Sequence, residues 1–164
     1  MNSIDKKKYI FGNLFLIANK LQVIGDQYLN RDGITTKQWL LTVTISQFGD
    51  NSPTLSEVAE LMGSSRQNVK QLALKLTEKG YLIIQKDEQD ARAIRLKLTE
   101  KSKIFWEKRK KQDEQFIEDI FTGFSEEESD IICRTFGRLF EKIEKLEKSQ
   151  YERNKQRQGG LSCL

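Results

Sequence analysis

Apolar positions along this chain fall into a series of helical stripes, interrupted once by strict alternation. From Asp5 to Leu29, Ile10, Leu14, Ile17, Leu21 and Ile24 recur at helical spacing, with Phe11, Phe15 and Ala18 forming a second stripe beside them. A helix apolar over so wide an arc contacts more than one neighbour, and in a short chain the second neighbour is expected to be another subunit. Asn30-Arg31-Asp32-Gly33 breaks the pattern with turn-forming residues. Thr35 and Gln38 then have the spacing of a capping box, and Trp39, Val43 and Phe48 predict the apolar face of a second helix.

Past the loop Gly49-Asp50-Asn51-Ser52-Pro53, two short helical patterns follow in quick succession. The first opens on Thr54 and Glu57, another capping box, and puts Leu55, Val58, Ala59 and Met62 on one face. Gly63 stops it and permits the left-handed backbone of a sharp turn. Ser65 caps the next helix, which buries Val69, Leu72, Ala73 and Leu76 and ends at Gly80. The period then changes. Tyr81 to Lys86 is β-rich, and Ala93 to Leu98 alternates Ile94, Leu96 and Leu98 with Arg95 and Lys97 around a polar tip, Asp87 to Arg92.

The polar residues left over on the second short helix change the picture. Arg66, Gln67, Asn68, Lys70 and Gln71 crowd its first turn and a half, directly after Ser65. Arg bridges guanine acceptors, Asn and Gln bridge the adenine edge, and Lys meets phosphate. A capped helix, a Gly turn and a second helix led by those side chains make a helix-turn-helix, and the hairpin adds a wing.

The segment resembles the MarR family of bacterial transcription regulators, whose wing carries Asp-x-Arg followed by Leu-x-Leu-Thr, here Asp90, Arg92, Leu96, Leu98 and Thr99. Thr35-x-x-Gln38-Trp39 is similar to the family's second helix. The resemblance implies that Arg92 enters the minor groove and that Asp90 supports it, while Ser65, Arg66, Gln67, Asn68, Lys70 and Gln71 face the major groove. Ala91 stands where many relatives have a second Arg, and Ser102 where a Gly often follows. The resemblance also implies a small amphipathic or aromatic effector. Phe11, Phe15, Trp39 and Trp106 could line its pocket, and they serve equally as plain core.

Thr99 caps a connecting helix reaching Phe121. Its Glu107-to-Gln115 stretch has no apolar side chain and reads as a solvated bridge, with contact of Lys108 to Lys111 to phosphate as the alternative. Gly123 ends it. Ser125 and Glu128 form a third box, and Ile132, Phe136, Leu139, Ile143 and Leu146 then alternate steps of four and three, a coiled-coil seam. Cys133 reads as a small buried hydrophobe, with an oxidant-sensing thiol, as the resemblance implies for some relatives, as the alternative. Residues 150–164 are polar and basic and are expected to be disordered.

Composition narrows the class. The chain has 164 residues and a net charge of +4, which permits nucleic-acid binding without demanding it, so the placement of charge decides. It has no His, which removes His-based metal sites and triads, and no Gly-rich phosphate loop, so neither an enzyme nor a cofactor is expected. Two distant Cys suggest no disulfide framework. No apolar run approaches a membrane span and no signal-peptide core is visible, so a cytoplasmic protein is expected.

Together these observations predict a mainly α fold with a small β-hairpin wing: a winged helix-turn-helix over 35–99, a connecting helix over 99–121, and dimerisation helices over 5–29 and 123–149. The expected function is ligand-responsive repression by a homodimer on a pseudo-palindromic double-stranded DNA operator. The rival reading is a winged-helix protein-interaction module without specific DNA binding.

Overall fold

Each helix starts where a short polar side chain can accept a free backbone N–H. In the computed structural model, which describes residues 2–87, 90 and 92–159, Asn2 caps helix α1 (Ser3–Leu29) through the Asp5 N–H at 2.9 Å. α1 therefore begins two residues before the expected Asp5. A single 3-10 turn, Asn30–Asp32, leads to α2 (Thr36–Ser46), α3 (Leu55–Leu61) and α4 (Arg66–Glu78). Strands β1 (Leu82–Lys86) and β2 (Ile94–Leu98) precede α5 (Glu100–Phe121) and α6 (Glu126–Gly159). The expected boxes form at Thr35/Gln38, Thr54/Glu57 and Ser125/Glu128, each with both reciprocal hydrogen bonds. The chain divides after Lys110 into two compact units, and α5 runs through the division.

The first unit has one apolar core. Leu41 and Ile45 of α2, Leu55, Val58 and Ala59 of α3, Val69, Ala73 and Leu76 of α4, Leu82 of β1 and Leu96 of β2 pack together. β1 and β2 pair antiparallel with Leu82 opposite Leu98 and Ile84 opposite Leu96, so the alternating apolar face lies on the helices as expected. Backbone bonds tie this hairpin to the loop ahead of α3: Leu96 N–H donates to Pro53 C=O at 2.9 Å, and Thr54 bridges Arg95.

The buried face of α2 differs from the expected one. Trp39 and Val43 are only half-buried, and the core side consists of Gln38, Leu41, Thr42 and Ile45. Polar residues can take these places because they satisfy themselves locally. Thr42 Oγ1 donates to Trp39 C=O at 2.7 Å, Thr44 Oγ1 to Leu40 C=O at 2.8 Å, and the Gln38 side chain is held in the capping box.

The polar Glu107-to-Gln115 stretch also departs from a plain solvated bridge. Arg109 is only 8% exposed, pairs with Asp32, and lies over the rings of Tyr28 and Phe105 at 5.0 and 5.7 Å. Its guanidinium fixes α5 to the 3-10 turn by charge and by ring contact, which a count of apolar residues does not register.

In the second unit α6 continues through Gly159, ten residues beyond the expected end at Ser149. Glu152, Arg153 and their neighbours include no Gly or Pro before Gly159, so low hydrophobicity did not prevent a helix. Residues 160–164 of the expected disordered tail lie outside the described residues. Cys133 is exposed on α6 rather than buried.

Candidate nucleic-acid interface

The turn between α3 and α4 is built from backbone bonds. Gly63 adopts φ +57°, its N–H donates to Glu60 C=O at 3.0 Å, and Ser64 N–H donates to Ala59 C=O at 2.9 Å. Ser65 Oγ then accepts the Asn68 N–H at 3.1 Å and opens α4. Because Val69, Ala73 and Leu76 turn one face of α4 into the core, the other side of its first turns faces out. Ser65, Arg66, Gln67, Asn68, Lys70 and Gln71 are all exposed.

These side chains have only weak anchors within the chain. Arg66 Nη1 reaches Ser56 Oγ at 3.4 Å and Asn68 Nδ2 reaches Ser64 Oγ at 3.5 Å, both long for hydrogen bonds. They can be exchanged for base edges or phosphates at little cost. The α4 N-terminus adds its partial positive charge to Arg66 and Lys70.

On the wing, Arg92 is exposed and its guanidinium has no hydrogen-bond partner among the described residues. Asp90 does not hold that guanidinium. Its Oδ1 instead accepts the Arg92 backbone N–H at 2.9 Å, and the Asp90 N–H donates to Asp87 Oδ1 at 2.8 Å. Support for the wing arginine therefore runs through the backbone. The Ala91 position lies outside the described residues.

Sequence reading missed the charged pair at the base of this tip. Arg95 Nε donates to Asp87, whose side chain is 7% exposed, and Arg95 Nη1 donates to Ser52 C=O at 2.6 Å. The alternation places Arg95 with Lys97 opposite the apolar positions, and no local spacing connects position 95 to 52. The only signal was two charges of opposite sign flanking the polar tip.

Glu57 lies at the edge of this region. The Thr54 backbone N–H, and after it the Thr54 hydroxyl, hold its carboxyl below the ordinary value of 4.5, assisted by the Arg95 charge and opposed by slight burial. Thr99 Oγ1 accepts the Ser102 N–H at 3.2 Å and donates to Gly80 C=O at 2.8 Å, so the Leu-Thr segment ends the wing and starts α5 with one side chain.

The four aromatic residues considered for an effector pocket do not share one environment. Phe11 and Phe15 are 66% and 60% exposed on α1 and meet edge to face, with centroids 5.1 Å apart. Trp39 and Trp106 are half-buried, the latter against Phe105 at 4.8 Å.

A helix-turn-helix with a two-stranded wing, its leading helix face polar and exposed, defines a winged-helix DNA-binding fold. The sequence profile of the MarR family matches residues 32–93, from the 3-10 turn through α4 and β1 to the wing tip, short of β2. The regulator BldR from Sulfolobus solfataricus shares the fold, with a TM-score of 0.75 at 12% identity over 87% of this chain and 99% of that one. FabT of Streptococcus pneumoniae, solved in complex with DNA, has a TM-score of 0.60 at 27% identity over 85% of this chain and 99% of its own. The transcriptional activatory protein BadR of Rhodopseudomonas palustris is 27% identical over 60% of this chain, and the match spans only 57% of that protein's length. Residues 32–93 thus match the MarR family, and the chain shares the winged helix-turn-helix fold of solved transcriptional regulators.

Proposed function

We propose that this regulator is a cytoplasmic homodimeric repressor that reads a pseudo-palindromic operator and releases it on binding a small amphipathic or aromatic effector. The observation that carries the DNA reading is the exposed row Arg66, Gln67, Asn68, Lys70 and Gln71 at the capped start of α4, in the same unit as the exposed Arg92. Two α4 helices related by a two-fold would enter successive major grooves about 34–36 Å apart. Arg92 would follow the backbone into the minor groove, where a narrow groove concentrates negative potential.

Dimerisation is supported by the apolar surface each unit leaves uncovered. On α1, Phe11, Phe15 and Ile17 are more than half exposed, and on α6 the seam residues Phe136, Ile143 and Leu146 are 53%, 45% and 46% exposed. Monomers seldom leave so many large apolar side chains in water. The effector reading rests on the likeness to the MarR family.

The test is a gel-shift titration on DNA from upstream of the protein's own gene, with nonspecific competitor and at two salt concentrations. Specific, salt-sensitive binding to a two-fold-symmetric site is expected, with Arg92→Ala weakening it by about 1–3 kcal/mol. Uniform binding to all sequences would reduce the protein to an architectural binder. Failure on both this fragment and a random-site selection would favour the protein-interaction module. A reporter assay fixes the sign of regulation, and activation would overturn the repressor reading.

A further inference from the structure

We infer that Arg95 is a positioning residue for the wing: with Asp87 it forms a strut that fixes the tip, and so Arg92, to the loop ahead of α3. The inference rests on the proposed role of Arg92 in the minor groove.

A continuous chain of hydrogen bonds leads from the loop ahead of α3 to the tip. The Ser52 C=O accepts from Arg95 Nη1 at 2.6 Å, and Arg95 Nε donates to Asp87 Oδ2. The other oxygen of that carboxylate, Oδ1, accepts the Asp90 N–H at 2.8 Å, and Asp90 Oδ1 accepts the Arg92 N–H at 2.9 Å. The Asp87 N–H donates to Ala93 C=O at 3.0 Å, and Ala93 N–H to Asp90 C=O at 2.8 Å, so the backbone closes around the same carboxylate.

The Ser52 end of the strut is rigid. Pro53 follows it immediately, Pro53 C=O receives the Leu96 N–H, and Thr54 starts α3 with a complete capping box. The far end would be loose without the strut, because a two-stranded hairpin is marginal on its own. Asp87 is the middle link, with a side chain 7% exposed, and a buried carboxylate requires a charged or hydrogen-bonding partner. Arg95 provides one with a planar fork that reaches Asp87 and Ser52 at once. The shorter, single-headed Lys does not reproduce that geometry.

The strut acts on DNA affinity through the place of Arg92, not through a phosphate contact of its own. Its partners already occupy two arms of the Arg95 guanidinium. The experiment has one arm without DNA and one with it. In the first, hydrogen exchange at the Asp90 and Arg92 amides is followed by NMR in wild type, Arg95→Met, Asp87→Asn and Arg92→Ala. We expect about tenfold faster exchange in Arg95→Met and Asp87→Asn, and none of that acceleration in Arg92→Ala. Unchanged exchange in both strut variants overturns the inference.

In the second arm, operator affinity and its salt dependence are compared for Arg92→Ala, Arg95→Met and the double variant. The double variant should bind no more weakly than Arg92→Ala alone, with the same salt slope, and Arg95→Lys should recover only part of the loss. Additive losses, or a further drop in salt slope on adding Arg95→Met to Arg92→Ala, would make Arg95 a direct DNA contact and reject the positioning role. If Arg92→Ala binds like wild type while Arg95→Met accelerates exchange, the minor-groove reading fails and the strut stands.

Discussion

At the scale of single residues, polar side chains here serve mainly to satisfy backbone groups, and that sets their titration. Glu57 accepts the Thr54 N–H at 2.6 Å and its hydroxyl at 2.8 Å, and both bonds favour the ionised carboxylate. A carboxyl whose folded pKa lies below its unfolded value adds stability above the unfolded value, here ordinarily 4.5, and loses it as pH falls through the folded value. Glu57→Gln keeps a hydrogen-bonding side chain in the capping box but cannot titrate. Its melting temperature, followed by circular dichroism from pH 6 down to pH 3, should fall less steeply than wild type below about pH 4.5. Glu128, lowered for the same reason by Ser125, remains in both proteins and keeps some acid dependence in the variant. Parallel curves would mean that the Glu57 carboxylate contributes nothing beyond its hydrogen-bond geometry. The same preference for backbone partners explains Asp90, which supports Arg92 through its backbone amide.

Among the elements, α1 and α2 meet more closely than their apolar stripes suggested. Gly25 is buried in the last third of α1, and a Cβ there would lie 2.5 Å from Thr36 Oγ1. Thr36 is itself anchored to α1, with its N–H on Asp26 Oδ1 at 2.6 Å and its hydroxyl on Gln22 C=O at 3.2 Å. On helix propensity alone Gly25→Ala gains about 1 kcal/mol. Overpacking against an anchored side chain typically costs about 1–3 kcal/mol, so the variant should unfold at lower urea than wild type. A higher midpoint would show that Thr36 yields freely. The caps, the turn at Gly63, the wing alternation and the α4 face could be read in the sequence because each is encoded within a few neighbouring residues. The contacts that escaped join distant positions: Gly25 with Thr36, Asp32 with Arg109, Ser52 with Arg95. The α2 face was misread for a different reason, since Thr42 and Thr44 hide their hydroxyls in their own helix and pack as apolar residues.

For the whole molecule, the question is what covers the apolar side chains that α1 and α6 present. Neither helix is long and apolar enough to cross a membrane. On α6, the seam residues Phe136, Ile143 and Leu146, seven and three positions apart, stand about half exposed and so are left largely uncovered. A second copy is the proposed partner, and its symmetry makes the test sensitive because each substitution is made twice. Burying one Ile contributes about 1.5–3 kcal/mol, so Ile143→Glu should raise the dimer dissociation constant roughly a hundredfold or more. Sedimentation velocity over a concentration series measures that shift, and the circular dichroism melt of the first unit should change little. Operator binding by the variant should lose its two-fold cooperation, and its salt slope should fall to about half, since each subunit then neutralises only its own phosphates. A wild type that stays monomeric at tens of micromolar, or a variant that dimerises as tightly as wild type, would remove the α6 seam from the interface. A variant that dissociates yet binds the operator with the full slope would instead show that DNA assembles the pair.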